Sequence, residues 1–124
     1  MSHYMGTITE LGIALADLVE SQAEWSRKTF GSDETRGPLG ALKHLEKEAV
    51  EAQTETRGTG ECSPQLREEL ADCLLLILDA SRRSGVKVMQ LIEAAQAKMA
   101  KNKARQWPTP TSDEPVEHLR ETQS

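Results

Sequence analysis

Apolar residues recur at spacings of three and four in four separate stretches of the chain, and glycine or proline separates each stretch from the next. That spacing places the apolar side chains on one face of an α-helix. The composition agrees, since fourteen leucines and thirteen alanines outnumber the nine valines and isoleucines that strands favour. A chain of 124 residues forms one small domain with a single core. We therefore predict an all-α fold, a four-helix bundle.

Start and stop signals give approximate bounds for each helix. Thr7 with Glu10 has the form of a capping box, and Ser63 before Pro64 is a typical N-cap followed by a first-turn proline. Gly85 marks the end of the third stretch, because glycine readily adopts the left-handed conformation that often ends helices. The helices are predicted over residues 8–28, 38–56, 64–84 and 86–107.

The third helix and the C-terminal segment differ from the rest of the chain. The segment from Leu74 to Leu78 is apolar on every face, which predicts a central helix covered on all sides. After Pro108 the chain is rich in proline, serine, threonine and acidic residues, with no apolar period to bury. We predict one domain over residues 1–107 and a flexible acidic tail over residues 108–124.

Charge and hydropathy exclude several functional classes. Fifteen basic and twenty acidic residues give a net charge of −5, which opposes binding to a polynucleotide. The longest apolar run has six residues, far fewer than the roughly 20 that a membrane span requires. No secretory signal is visible, and two cysteines in a domain of this size are typical of a reducing compartment. We expect a cytoplasmic protein with neither a polynucleotide nor a membrane as partner.

Four acidic residues on the second and third helices form the strongest candidate site. They make two pairs with i, i+3 spacing, and each pair projects from one helical face: Glu48 with Glu51, and Glu69 with Asp72. If the two helices run antiparallel about a turn near Gly60, all four carboxylates come level. Carboxylates gathered in this way repel unless a cation lies among them, and hard oxygen ligands suit Mg²⁺ or Mn²⁺. The alternative is that these acids face water on the outside of the hairpin.

Neighbouring residues favour a binding site over a solvated face. Asp79 lies on the apolar third helix, where an isolated buried carboxylate would need a partner. Arg82 or Arg83, about one turn further on, is either that partner or a ligand for phosphate. His44 shares the face of Glu48, although a lone histidine is more often a surface or core residue.

The end of the fourth helix is basic. Lys98, Lys101, Asn102 and Arg105 lie on roughly one face. Such a face near a metal site is what a triphosphate would need. Basic residues in a last turn also offset the helix dipole, which accounts for one or two of them without any ligand.

At these residues the chain resembles the all-α nucleoside triphosphate pyrophosphohydrolases of the MazG-like superfamily. Their signature is ExxE, a gap, and ExxD, which here is Glu48–Glu51, seventeen residues, and Glu69–Asp72. More narrowly, the chain is similar to the dATP/dGTP diphosphohydrolase branch of bacteria and phages. Sequence blocks carry that similarity at residues 22–31, 44–48, 78–85 and 98–108.

The resemblance implies a reaction and a set of site residues. Members hydrolyse a (deoxy)nucleoside triphosphate, here dGTP or dATP, to the monophosphate and pyrophosphate with Mg²⁺, or with Mn²⁺ in its place. Of the four expected metal ligands, Glu48, Glu51, Glu69 and Asp72, the first two are the expected catalytic residues, one of which orients or deprotonates the attacking water. The expected substrate-binding residues are Trp25 and Phe30 beside the base and sugar, Lys98, Asn102 and Arg105 on the triphosphate, and also His44, Asp79 and Arg83.

The resemblance also implies assembly, and it leaves alternatives open. Family members form dimers or tetramers, so a homodimer or homotetramer is expected. Within the superfamily, a pyrimidine deoxynucleotide or another triphosphate such as phosphoribosyl-ATP is the alternative substrate. From a different class, a non-catalytic helical oligomerisation module is the alternative, and the four intact acids argue against it. Trp25 and Phe30 have ordinary core packing as their alternative role.

Overall fold

The structure is a computed structural model that describes residues 5–56 and 62–120. These residues form four α-helices and no strand: α1 (Ile8–Phe30), α2 (Leu39–Thr54), α3 (Pro64–Arg83) and α4 (Val88–Ala104). The predicted all-α fold is confirmed, and every described helix end lies within three residues of its predicted position. The predicted turn near Gly60 lies outside the described residues.

The chain divides into two compact units, Met1–Val88 and Met89–Ser124. In the first unit, α3 packs against both α2 and α1. The second unit contains nearly all of α4 and the C-terminal segment. The predicted division into residues 1–107 and 108–124 stays a prediction.

The helix ends form where the sequence signals predict them. The Thr7 side chain accepts a hydrogen bond from the Glu10 backbone, and the Glu10 side chain accepts one from the Thr7 backbone, which completes the capping box. The Ser63 side chain accepts from the Leu66 backbone at 3.0 Å and starts α3. Gly85 has φ +78°, a conformation that suits glycine, and it follows the end of α3.

The apolar core of the first unit is built from small residues and one leucine, which allows the three helices to approach closely. The buried apolar residues are Ala23, Ala41, Ala52, Leu78 and Ala80. The prediction that α3 is covered on all sides is wrong for the single chain. Leu70, Leu74 and Ile77 are 54%, 46% and 41% exposed, and their spacing places them in one stripe. Two neighbouring helices cover only part of the circumference of α3.

In the second unit, the segment after α4 returns to the end of that helix. The indole Nε1 of Trp107 donates to the Asn102 carbonyl at 2.8 Å, which satisfies one of the unpaired carbonyls of the last turn. The backbone N–H of Leu119 donates to the Gln106 carbonyl, and the rings of Trp107 and His118 meet edge to face at 5.8 Å. None of the described helices combines the length and apolar character needed to cross a membrane.

Candidate active site

The hairpin of α2 and α3 brings acidic residues from the two helices together. Carboxylate oxygens of Glu48, Glu51 and Glu69 all lie within 4.8 Å of one another. Asp72, the fourth predicted ligand, is outside this group but lines the same cavity as Glu48. The helices run antiparallel, since residues near the end of α2 meet residues near the start of α3. The predicted meeting of acids across the hairpin is therefore seen for three of the four residues.

The neighbouring carboxylates strongly shift the pKa of Glu69 and also affect that of Glu48. A hydrogen bond with Glu48, together with burial and the charges of Glu48, Glu51 and Asp72, raises the pKa of Glu69 to about 7. The same hydrogen bond lowers the pKa of Glu48. Oε2 of Glu69 is buried, and no described residue donates a hydrogen bond to it. This oxygen needs a positive partner, which is either a proton or a cation.

Two further residues lie next to the acidic cluster. Nε2 of His44 is 3.0 Å from Oε1 of Glu48, so the protonated nitrogen donates to that carboxylate. His44 itself is exposed, whereas the Glu48 side chain is only 14% exposed. Burial and the negative charges of Glu48, Asp72 and Glu69 raise the pKa of the Cys73 thiol. His44 therefore orients one carboxylate of the cluster, while Cys73 stays a neutral thiol beside it.

A cavity of about 400 Å³ extends from the acidic cluster between α1, α2 and α3. Glu48 and Asp72 lie at one end, and Asp79 lies seven residues further along α3. Trp25 and Phe30 line the cavity from α1, with their rings edge to face and 5.4 Å between centroids. Both aromatic residues are about half exposed, so they form a wall of the cavity rather than part of a closed core.

The far end of the cavity is polar and tightly hydrogen bonded. Oδ1 of Asp79 accepts from Nε2 of Gln22 at 2.9 Å and from the Ser26 hydroxyl at 2.6 Å. Arg82 donates to Asp79 and to the side-chain oxygen of Gln22. Burial alone would raise the pKa of Asp79, but hydrogen bonds from Gln22, Ser26, Arg82 and Arg83 outweigh it and hold the pKa well below its usual range. Asp79 is therefore a charged carboxylate in a buried network.

The sequence left open whether Arg82 or Arg83 partners Asp79, and the structure shows that both do. The Arg83 side chain is completely buried, and its Nε donates to Oδ2 of Asp79 at 3.0 Å. The Arg82 side chain also pairs with Asp33 in the connection between α1 and α2.

The predicted triphosphate ligands Lys98, Asn102 and Arg105 belong to the second unit. Nη1 of Arg105 lies 3.4 Å from Oδ1 of Asn102, which is a long hydrogen bond. The expected role of Lys98, Asn102 and Arg105 as triphosphate ligands therefore rests on the sequence pattern alone.

Sequence reasoning missed three polar residues: Gln22 and Ser26, which line the cavity, and Asp33, which pairs with Arg82. Gln22 and Ser26 are four residues apart, so they lie on one face of α1. That spacing was a visible signal, but two neutral polar residues on a helix usually face solvent. Asp33 lies between glycines in a polar loop, and nothing in the sequence distinguishes it from a solvated residue.

The carboxylates suit a divalent cation. They offer several hard oxygen atoms within a small sphere, and one buried oxygen lacks a donor among the described residues. The residues present therefore fit a Mg²⁺ or Mn²⁺ ion, which retains waters and takes further oxygens from a phosphate.

An all-α chain with an acidic cluster at one end of an aromatic-walled cavity has the features of a nucleotide pyrophosphohydrolase. The family model described as dATP/dGTP pyrophosphohydrolase matches residues 18–124. The chain therefore belongs to the dATP/dGTP pyrophosphohydrolase family.

The chain is also similar to the Eaa protein of Salmonella phage P22. The two are 43% identical over 99 residues, which cover 80% of this chain and 28% of the phage protein. The matched region therefore spans less than a third of that relative. No solved structure matches the chain significantly.

Proposed function

We propose that the protein hydrolyses dGTP or dATP between the α and β phosphates, in a Mg²⁺-dependent reaction that yields the monophosphate and pyrophosphate. One observation carries the proposal: Glu48 of the acidic cluster, the cluster that also holds the unpartnered Glu69 oxygen, lines a cavity walled by Trp25 and Phe30. A nucleotide with a bound divalent cation requires two such surfaces: carboxylates that hold the cation beside the phosphates, and an aromatic surface that contacts the base.

At the acidic end, the proposed metal ligands are Glu48, Glu51, Glu69 and Asp72. A divalent cation held there polarises phosphate oxygens and so supplies Lewis-acid catalysis. One of the two proposed catalytic residues, Glu48 or Glu51, orients or deprotonates the attacking water. The hydrogen bond from His44 restricts the rotation of the Glu48 carboxylate and supports this role.

At the aromatic end, we propose that Trp25 and Phe30 contact the base and sugar. The seven residues from Asp72 to Asp79 correspond to about 10 Å along α3, at roughly 1.5 Å per residue. That length suits a nucleoside laid along the helix, with its phosphates toward Asp72. The cavity of about 400 Å³ lies within the range of about 300–1,000 Å³ that is usual for small-molecule sites.

Lys98, Asn102 and Arg105 are the proposed ligands of the triphosphate. Their spacing places them on roughly one face of α4. Positive charge on such a face would stabilise the charge that develops on the leaving pyrophosphate.

We also propose that the protein is a homodimer or homotetramer. The stripe of Leu70, Leu74 and Ile77 on α3 supports this, because exposed apolar stripes on a helix commonly mark protein–protein contacts.

The function is tested by incubating the protein with each of the four dNTPs and four NTPs in the presence of Mg²⁺ and measuring monophosphate and pyrophosphate. We expect dGTP or dATP to be cleaved, and Glu48→Gln to lose the activity. The matched control is Glu46→Gln, which removes an exposed acid from the same helix.

Two other results of that panel would change the proposal. Cleavage confined to pyrimidine nucleotides or to another triphosphate would keep the chemistry and replace the proposed substrate. No cleavage, together with no rise in melting temperature on addition of Mn²⁺, would overturn the proposal in favour of a non-catalytic helical oligomerisation module.

A further inference from the structure

The Arg83 side chain is completely buried and holds the loop between α1 and α2. Its Nη1 donates to three backbone carbonyls, those of Gly31, Ser32 and Arg36, at 3.2, 3.3 and 3.2 Å. Its Nη2 donates to the Ser26 hydroxyl at 2.9 Å. A buried guanidinium with this many acceptors fixes their relative positions, because moving any of them leaves a buried charge underbonded.

The other side of the same guanidinium faces the polar end of the cavity, here called the polar floor, which is formed by Gln22, Ser26 and Asp79. Nε of Arg83 donates to Asp79, and Asp79 in turn accepts hydrogen bonds from Gln22 and Ser26. Gln22, Ser26 and Asp79 all line the cavity. The pair of Arg83 and Asp79 therefore lies between the loop and the cavity, and connects the two.

Two ion pairs of Asp33 also attach the same loop to the helices. Asp33 accepts from Nε of Arg82 at 3.1 Å and from Nη2 of Arg27 at 2.8 Å. The loop is thus tied to α3 by two consecutive arginines, and to the end of α1 by a third.

The loop begins and ends at the aromatic wall. It follows Phe30 directly, and Gly31 has φ +112°, a conformation that a residue with a Cβ rarely adopts. At the other end of the loop, the Arg36 guanidinium lies over the Phe30 ring, 5.4 Å from its centroid. The ring position of Phe30, and its contact with Trp25, therefore depend on where the loop is held.

We propose that Arg83, together with Asp79, is a positioning residue that sets the aromatic wall and the polar floor of the nucleotide cavity and so determines the selectivity for purine nucleotides. The proposal rests on the function proposed above. Arg83 acts through the Gly31–Arg36 loop and through Ser26. It does not touch the substrate, because its side chain is buried and its nitrogens donate to protein oxygens. This replaces the direct substrate contact that the sequence predicted for Arg83.

The test compares Arg83→Lys with the wild-type protein. Lysine keeps the charge beside Asp79, but a single ammonium group cannot replace a planar fork that reaches three carbonyls. We expect the ratio of kcat/KM for dGTP to kcat/KM for dCTP to fall about tenfold, mainly through a higher KM for dGTP. Mn²⁺ affinity should be unchanged, since the acidic cluster is built on a different part of the hairpin.

The selectivity ratio separates positioning from a general loss of stability, because a smaller folded fraction lowers both kcat/KM values equally. Leu78→Ala is the matched control, as it removes a buried side chain of α3 that does not line this cavity. It should lower the melting temperature and leave the ratio at the wild-type value. If Arg83→Lys does not fold, Asp33→Asn weakens the other attachment of the loop and should lower the ratio in the same direction.

If the folded Arg83→Lys variant, or Asp33→Asn in its place, keeps the wild-type ratio of kcat/KM for dGTP to kcat/KM for dCTP, the positioning role is overturned. The proposed function would remain intact. A wild-type protein that cleaves no deoxynucleotide would overturn both, and that result is visible before any variant is made.

Discussion

Glu69 is a much weaker acid in the folded protein than an ordinary glutamate, and this has consequences for both stability and metal binding. Its folded-state pKa of about 7 lies above the ordinary value of 4.5. Between these two pH values, the folded protein keeps a proton that the unfolded chain has lost. Protonation of Glu69 therefore stabilises the folded, metal-free protein at the acidic end of this interval, and the stabilisation is lost as the pH rises through about 7.

The first prediction follows from the upward shift of the Glu69 pKa. The melting temperature of the metal-free protein should decrease as the pH is raised from about 5 to about 7. Glu69→Gln removes the titrating group and should flatten this dependence, as measured by thermal unfolding in chelator-treated buffer. An equal slope in the wild-type protein and the variant would show that another group is responsible.

The second prediction concerns the competition between this proton and a metal ion. Mn²⁺ affinity should increase about tenfold per pH unit below the pKa of Glu69 and level off above it, because binding must displace one proton. Isothermal titration calorimetry in buffers of different ionisation enthalpy measures both the affinity and the number of protons released. Release of no proton at about pH 6 would contradict the proposed role of Glu69 as a ligand.

At the scale of elements, the start of α3 matters for the site because this helix supplies Glu69 and Asp72. Ser63→Ala removes the side-chain oxygen that accepts from the Leu66 backbone. We expect a loss of about 1 kcal/mol in the free energy of unfolding, measured by urea denaturation. Ser63→Asp retains an acceptor at the N-cap and is the control. An alanine variant as stable as the wild-type protein would mean that the first turn of α3 unfolds separately from the core.

The helices were predictable from the sequence because their signals are local. The capping box at Thr7, the proline after Ser63 and the glycine after α3 act within one turn of the residues they define. The meeting of Glu48, Glu51 and Glu69 was also predictable, since it requires only regular helical spacing and one hairpin.

The buried network was not predictable in the same way. Gln22 and Asp79 are 57 residues apart, and Arg83 and Ser26 are separated by the same number. Their contacts depend on how α1 packs against α3, which no local pattern encodes. The sequence indicated that Asp79 needed a partner, but it did not distinguish a ligand from a neighbouring side chain.

At the scale of the whole molecule, the exposed apolar stripe on α3 leads to a prediction about assembly. Ile77→Lys places a charge at one end of the stripe and should dissociate a homodimer or homotetramer, because a buried unpaired lysine is costly. Sedimentation or light scattering measures the mass. Ile13→Lys changes an isoleucine of α1 that is 58% exposed, and it is the control. Unchanged mass in both variants would place any interface elsewhere.

The position of α3 between α1 and α2 has a consequence for how such an enzyme can diversify. One side of α3 joins α2 to form the acidic cluster, and its last turn joins the end of α1 and the following loop. Under the proposed function, exchange of residues 22–36 for the corresponding segment of a relative should alter which base is accepted and leave the acidic cluster unchanged. A single scaffold of this kind can acquire new substrates by segment replacement, in nature or in the laboratory.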